Sequence, residues 1–375
     1  MKTSFVTEGN YFWQNGIYYH RIHQPCQALK ERGHGVQNIA LGNDLSKNLL
    51  DYPDTVIFGR TYHPELKPLE VLRKFKSEGK RVLWDIDDDI WTVNPDNPSA
   101  LVSNAFKDQY EGFAKEADAV ITPSAVLAKK IKKLKKDQNV FICPNMVNPT
   151  VYAERPHAHK ELIIGYMGAA SHWRDMNLIT DVVIDLQKKY DFAFVVYGLT
   201  GNPLESEMYA YNEIVRRGLE PEKTPYLQAA LDWWGKAKNV KIYPHIPFHQ
   251  PFFTPMMHPL NLSRMDLDIG LAPLEDNEFN HGKSNIKFYE YAAVGTVTLA
   301  SDVTPYKEEV NYRAKNTYKD WYKKLERLIV DKEFREKTLK QQQEYVKNNR
   351  TTTAVGVDWE KAIQKPGGLD VLNQK

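Results

Sequence analysis

Three stretches of the sequence concentrate side chains able to do chemistry. The first is DIGLAPLEDNEFNHGKSNIKFYEYAAVGTVTLA, residues 268–300. At about 100° per residue of helix, Lys283, Lys287 and Glu290 fall within one narrow arc, while Ile286, Tyr289, Ala292 and Ala293 occupy another. Two cations and one carboxylate therefore share a face. The helix carrying them is expected to start near Ser284 and Asn285 and to stop at Gly295. Its first turn offers free backbone N–H groups and a positive dipole end, which suit a phosphate. A carboxylate two turns further in accepts the paired hydroxyls of a ribose. The combination reads as a nucleotide diphosphate site without a glycine-rich P-loop. Taken alone, the same spacing also describes an exposed helix face joined by ordinary i,i+4 pairs.

The second stretch is IGYMGAASHWR, residues 164–174. Gly168, Ala169 and Ala170 allow a ligand close to the backbone. Arg174 offers a planar fork for a pyrophosphate, and His172 can donate to the same group. A plain strand-to-helix turn is the alternative. The third stretch is RVLWDIDDDIW, residues 81–91, in which Asp85, Asp87, Asp88 and Asp89 end a strand. So many carboxylates at a sheet edge repel one another unless they face water, a cation or a hydroxyl-rich ligand. We expect Asp85 and Asp87 to meet hydroxyls, with Asp87 close to the chemistry; an Asp-x-Asp metal site for a diphosphate, or a structural role, is the alternative. Arg60 and His63 follow another strand end and are expected in the same cleft, as partners of an acceptor or of the aspartates. The loop from Glu8 to Tyr19, with Gly16 and Tyr18, precedes the first helix and could touch a ligand. His20 and His23 lack the further ligands of a zinc site, and His245 and His249 fare no better, so no metal is expected.

The elements that must position these groups alternate. Strands are expected at residues 3–7, 36–41, 55–58, 81–84, 119–122 and 140–143, and, after a linker at 148–160, at 162–166, 192–197, 240–243, 269–272 and 296–300. Helices lie between them, among them one at about 17–32 ended by Gly33 and one from Ser124, an N-cap, to Leu134. This is the α/β pattern of parallel sheets covered by helices, twice in tandem. We divide the chain into residues 1–155, 156–350 and a tail, 351–375, that crosses back to the first unit. Residues 201–238 read as a helical insertion packing Trp233 and Trp234, a sugar-stacking role being the alternative.

With 375 residues, 42% hydrophobic and 26% charged, the chain has too much apolar material for disorder, and it lacks the roughly 18 uninterrupted apolar residues of a membrane span. Its formal charge of +2 argues against a surface that grips nucleic acid all round. The lysine run from Lys129 to Lys136 reads as a solvated helix face, or as a patch for an anionic surface. No signal peptide is evident, and Cys26 and Cys143 are expected as buried thiols in a reducing cytoplasm.

The segments and their order resemble the GT-B glycosyltransferases, family 4 type, over about residues 1–365. The pattern K-S-x-x-K-x-x-E-Y-x-A-x-G, here Lys283, Ser284, Lys287, Glu290, Tyr291, Ala293 and Gly295, is similar to that family's donor-site helix. Residues 164–174 resemble its phosphate-facing loop, and LKERGHGV, ADAVITPS and FICPNMVNP resemble N-terminal counterparts. The resemblance implies two Rossmann-like domains around a cleft and sugar transfer from a nucleotide diphosphate to a hydroxyl. It implies retention of configuration without a metal cofactor. Gly168, Ala169, His172, Arg174, Lys283, Ser284, Asn285, Lys287 and Glu290 would bind the donor, with Arg174, Lys283, Lys287 and Asp87 nearest the reaction. Gly16, Tyr18, Arg60, His63, Asp85 and Asp87 would face the acceptor. The family's motif has a second glutamate eight positions before Glu290, where this chain has Gly282; Asn280, His281 and Lys283 are the nearby substitutes. The wording is similar to bacterial surface-polysaccharide enzymes and to phage enzymes that decorate hydroxymethylated DNA bases, so a surface or lipid-linked glycan or a modified DNA base is the expected acceptor, a protein or small molecule being the alternative. A non-catalytic nucleotide-sugar or glycan-binding module, and a metal-dependent transferase using Asp85 to Asp89, are the alternatives.

Overall fold

The structure, a computed structural model, describes residues 1–8, 16–41, 47–60, 66–95, 100, 103–104, 106–152, 154, 159–168, 172–197, 241–242 and 257–364. Within them the short apolar runs form two six-stranded sheets. The first holds β1 (Lys2–Glu8), β2 (Gly35–Leu41), β3 (Thr55–Phe58), β4 (Arg81–Asp85), β5 (Ala119–Thr122) and β6 (Val140–Ile142), in the order β2-β1-β3-β4-β5-β6. The second holds β7 (Leu162–Met167), β8 (Phe192–Tyr197), β9 (Lys241–Ile242), β10 (Ile269–Ala272), β11 (Val297–Ser301) and β12 (Arg313–Ala314), in the order β12-β11-β10-β7-β8-β9. All pairings are parallel. Strands such as β3, β5 and β8 are buried along their whole length, as sheets covered on both faces require. In each sheet the order reverses once, between β1 and β3 and between β7 and β10. Open α/β sheets bind ligands at the carboxyl ends of strands flanking such a reversal.

Five helices matter for the site. Helix α1 spans residues 16–31, as Gly16–Tyr18, a π-turn at Tyr19–His23, and Gln24–Glu31. The wider turn, of a kind that marks functional sites, shifts the register of the side chains from Tyr19 to His23. Helix α2 (Ala125–Lys135) starts as expected at Ser124, whose Oγ accepts from the Leu127 amide at 3.2 Å. Helix α3 (Trp173–Gln187) follows β7, and α4 (Ile286–Ala293) follows β10, starting two residues later than its serine suggested. Helix α5 (Thr352–Gln364) lies near the end of the chain.

Each sheet has a buried cluster on both faces. Two clusters borrow residues across the molecule. Val147 and Thr351 pair as an isolated bridge, and α5 then packs on α1 beneath the first sheet. Trp359 and Ile363 sit there, fully buried among Phe5, Leu29 and Ile121. The helices approach so closely that a Cβ on Gly356 would lie 3.3 Å from the Ala28 Cβ. Burying a tryptophan removes roughly 150–250 Å² from water, an upper estimate of about 4–6 kcal/mol. In the other direction Tyr19 and Tyr152 enter the cluster beneath α4. The charged, mostly helical residues 306–348 are interrupted by β12, which is too short to show as an apolar run. Cys26 and Cys143 are buried free thiols. Among the described residues no helix is long and apolar enough to cross a membrane. Residues 201–238, His245 and His249 lie outside the described residues.

Candidate active site

The second sheet presents cations at its reversal. Gly168 follows β7, and a Cβ there would fall 2.3 Å from the Tyr166 hydroxyl, so a side chain at this strand exit would displace the buried Tyr166 ring. His172 precedes α3, its Nδ1 2.6 Å from Asp175 Oδ2, while Asp175 Oδ1 accepts from the Glu275 amide at 2.6 Å. Burial, then the neighbouring Lys287, pushes His172 down to about 4, so the ring is neutral at physiological pH. Arg174 lies partly exposed in the first turn of the same helix. Across from them Lys287 stands 5.7 Å from the Tyr166 ring centroid, and burial lowers its ammonium to about 8. Among the described residues no carboxylate pairs with it. Lys283 lies 4.4 Å from the Phe279 ring centroid and 3.1 Å from Asp88 of the first unit. Ser284 Oγ accepts from Asn145 Nδ2 at 2.8 Å, and Asn285, buried at the head of α4, makes no capping bond with its side chain.

Glu290, one turn further along α4, is 1% exposed. Its Oε1 accepts from the Tyr152 hydroxyl at 2.6 Å and lies 2.7 Å from His258 Nε2 and 3.5 Å from His20 Nε2. Burial disfavours its charge, but His258 and His20 outweigh that and hold the carboxyl down to about 2. Burial takes His20 to about 4 despite Glu290, whereas Glu290 raises His258.

On the first sheet the aspartates are paired one by one. Asp85 receives Arg21 Nε at 3.0 Å and Nη2 at 2.5 Å, and Arg21 Nη1 donates to Cys143 O and Asn145 Oδ1. Arg60 Nη1 lies 3.3 Å from Asp87 and 3.1 Å from Asp88. Lys283 completes Asp88, and Lys130 binds both oxygens of Asp89 at 2.7 and 2.8 Å. Burial works against the Asp88 charge, yet Lys283 and Arg60 hold it below the usual carboxylate range. Burial and the adjacent Asp88 raise Asp87, whose buried Oδ1 faces Arg60 Nη1 at 3.3 Å as an ion pair without hydrogen-bond geometry. The units touch here as well. Ser124 Oγ donates to Gly282 O at 2.7 Å, and a Cβ at Gly282 would come 3.2 Å from the Asp89 Cβ. The position where the related motif carries a glutamate is thus pressed against the aspartate turn.

Two residues expected to face an acceptor do not. Tyr18 is 1% exposed in the core, its hydroxyl accepting from Asn38, because the helix turns Tyr19 and His20 to the junction instead. Asp85 is 3% exposed and its two oxygens are taken by Arg21. Gly16 is exposed at the start of α1. His63 and Ala169 lie outside the described residues. The fold adds Arg21, Lys130, Tyr152 and His258, and brings in His20, which the sequence reading had set aside for want of partners. Lys130 sat within the lysine run, and its helical phase differs from that of Lys129, Lys133 and Lys136, which are exposed. Arg21 and His258 carried no local signal, since their partners stand 64 and 32 residues away.

No family model and no curated protein matches the chain. Solved structures do. An alpha-glucosyltransferase in complex with UDP and a 13-mer DNA containing a HMU base superposes with a TM-score of 0.65 at 14% identity, over 97% of this chain and 100% of that one. Sucrose-phosphate synthase from Thermosynechococcus elongatus gives 0.62 at 11% identity over 96% and 98%. HepE from Anabaena, in complex with UDP and glucose, gives 0.59 at 12% identity over 97% and 99%. At such identities the likeness speaks for architecture, and two parallel sheets meeting at their carboxyl edges along nearly the whole length of these transferases give the chain the GT-B fold.

Proposed function

We propose that the protein is a glycosyltransferase that moves a sugar from a nucleotide diphosphate donor to a hydroxyl acceptor between the two sheets. The observation that carries this reading is Lys287, a half-buried cation with no carboxylate partner among the described residues, one helical turn from the ionised Glu290 at the reversal of the second sheet. Glu290 accepts the ribose hydroxyls, which take the place of His258. Arg174, Lys283, Lys287 and the first turn of α4 hold the diphosphate beside Gly168. His172, neutral, donates a hydrogen bond to the same group. As the bond from the sugar to the phosphate breaks, charge grows on the leaving oxygen, and these preset cations stabilise it. The acceptor oxygen bonds to the sugar carbon, its proton passes to a phosphate oxygen, and the sugar keeps its configuration. Fixed cations do the work of a divalent ion, so the transfer needs no metal.

Arg60 and Asp88 form the opposite wall. The Asp87 oxygen without a hydrogen bond accepts from a hydroxyl of the sugar or the acceptor. A donor of this class is supported by the neighbours solved with UDP, and a nucleic acid or glycan acceptor by the DNA and glucose they hold. The exposed Lys129, Lys133 and Lys136 would steer an anionic acceptor or surface.

The test is mass spectrometry of nucleotide-sugar donors incubated with the protein and either oligosaccharides or hydroxymethylated DNA. We expect one acceptor to gain a single sugar with release of nucleoside diphosphate, unchanged in EDTA and abolished in Glu290→Ala. Donor binding without turnover would instead mark a binding module, and loss in EDTA restored by a divalent ion would return the aspartates as a metal site.

A further inference from the structure

Glu290 is surrounded by groups that a ribose does not require. His20 reaches it from the π-turn of α1, and His258 from the short helix Met257–Arg264. The ligating atoms of His20, His258 and Glu290 all lie within 4.8 Å of one another. Among the described residues they are the one convergence of three such groups. Two ligands held at ~2.1 Å by a tetrahedral zinc lie about 3.4 Å apart. The separations from Glu290 Oε1 of 2.7 Å to His258 and 3.5 Å to His20 bracket that value.

The surroundings are those of a supported site. Tyr152 donates to the carboxylate. Gln24 sits with its amide nitrogen 3.2 Å from His20 Nδ1, while its Oε1 is buried with no hydrogen bond. Turning that amide over brings the oxygen to His20 Nδ1–H. This satisfies the oxygen, fixes the tautomer and leaves the Nε2 lone pair for a metal, an arrangement that metal-binding histidines commonly show. Two imidazoles and one carboxylate favour zinc and its neighbours over magnesium or calcium, which take oxygen ligands.

We infer that His20, His258 and Glu290 form a site for a divalent transition metal of the zinc class, which ties α1 of the first unit to α4 of the second and competes with the nucleotide for Glu290. Metal binding stands on the geometry alone; the competition rests on the proposed role of Glu290. Such a metal inhibits the transferase rather than serving it.

The experiment uses the full chain, stripped with a chelator and titrated with Co2+, followed by its visible absorption and then by displacement with Zn2+. One metal per chain is expected. His20→Ala and His258→Ala should each weaken binding about tenfold or more, and His23→Ala, on the same helix but outside the set, should not. Metal-free melting temperatures separate a lost ligand from a lost fold, and the rise in melting temperature on adding Zn2+ should disappear in His258→Ala. Absence of stoichiometric binding, or binding indifferent to both histidines, overturns the site. Displacement of Co2+ by a nucleoside diphosphate is expected; binding of metal and nucleotide together would overturn the competition while leaving the transferase reading in place.

Discussion

The two edges of the cleft use charge in opposite ways. On the first sheet Asp85, Asp87, Asp88 and Asp89 are matched by Arg21, Arg60, Lys283 and Lys130. On the second, His172 is neutral and Lys287 has no carboxylate partner among the described residues. Paired charges position, and removing one partner leaves a buried charge uncompensated. A cation without a carboxylate is held at a cost that an arriving anion relieves. The first edge is therefore a frame and the second a receptor, with Lys283 shared: held by Asp88 in the structure, it must also serve the diphosphate.

Breaking the receptor should cost most. Lys287→Ala is expected to lower donor kcat/KM by about 10²–10³-fold, the usual effect of deleting one group that stabilises a developing oxyanion, with the melting temperature little changed. Breaking the frame should show first in stability. Arg21→Ala leaves Asp85 buried alone and should cost about 3–5 kcal/mol in denaturant unfolding. If Arg21→Ala lowered activity without lowering stability, the division between frame and receptor would be wrong.

The pH profile sharpens the contrast. Burial has taken Lys287 from its ordinary 10.5 to about 8. Donor kcat/KM, which reports the free enzyme, should fall as pH rises through about 8, and Lys287→Arg should remove that limb. Stability responds with the opposite sign. Between about 8 and 10.5 the unfolded chain binds the proton that the folded one has lost, so this residue's contribution to stability rises with pH. A smaller effect is expected for Asp87→Asn, about tenfold in KM for the acceptor or donor sugar, as an acceptor oxygen is partly retained. The double variant Lys129→Ala/Lys133→Ala should stay within about 0.5 kcal/mol in stability, since both side chains are exposed.

How much of this was legible in the sequence depended on range. Strands buried on both faces announce themselves as apolar runs, and Ser124 and Gly295 mark helix ends by local chemistry, so the two sheets could be read directly. The arc of Lys283, Lys287 and Glu290 was legible for the same reason: helical spacing places them together before any tertiary contact forms. The aspartates were legible as a problem but not as a solution, because their partners arrive from α1, α2, the β3 exit and the loop before α4. Spacing gave no sign that Arg21 would claim Asp85, or that the π-turn would bury Tyr18 and present His20. Gly282 was visible as a departure from the related motif, and only its contact with Asp89 shows that a side chain there would meet the opposite edge.

The most direct test of the central claim is calorimetric titration of the protein with a nucleoside diphosphate in buffer free of divalent metal, repeated on Lys287→Ala and Asp89→Asn. The receptor edge predicts binding by the wild-type chain, about 10²-fold weaker binding by Lys287→Ala, and binding within a few-fold of wild type for a folded Asp89→Asn. Equal affinity in the wild type and Lys287→Ala, or no binding of any nucleoside diphosphate, would contradict it.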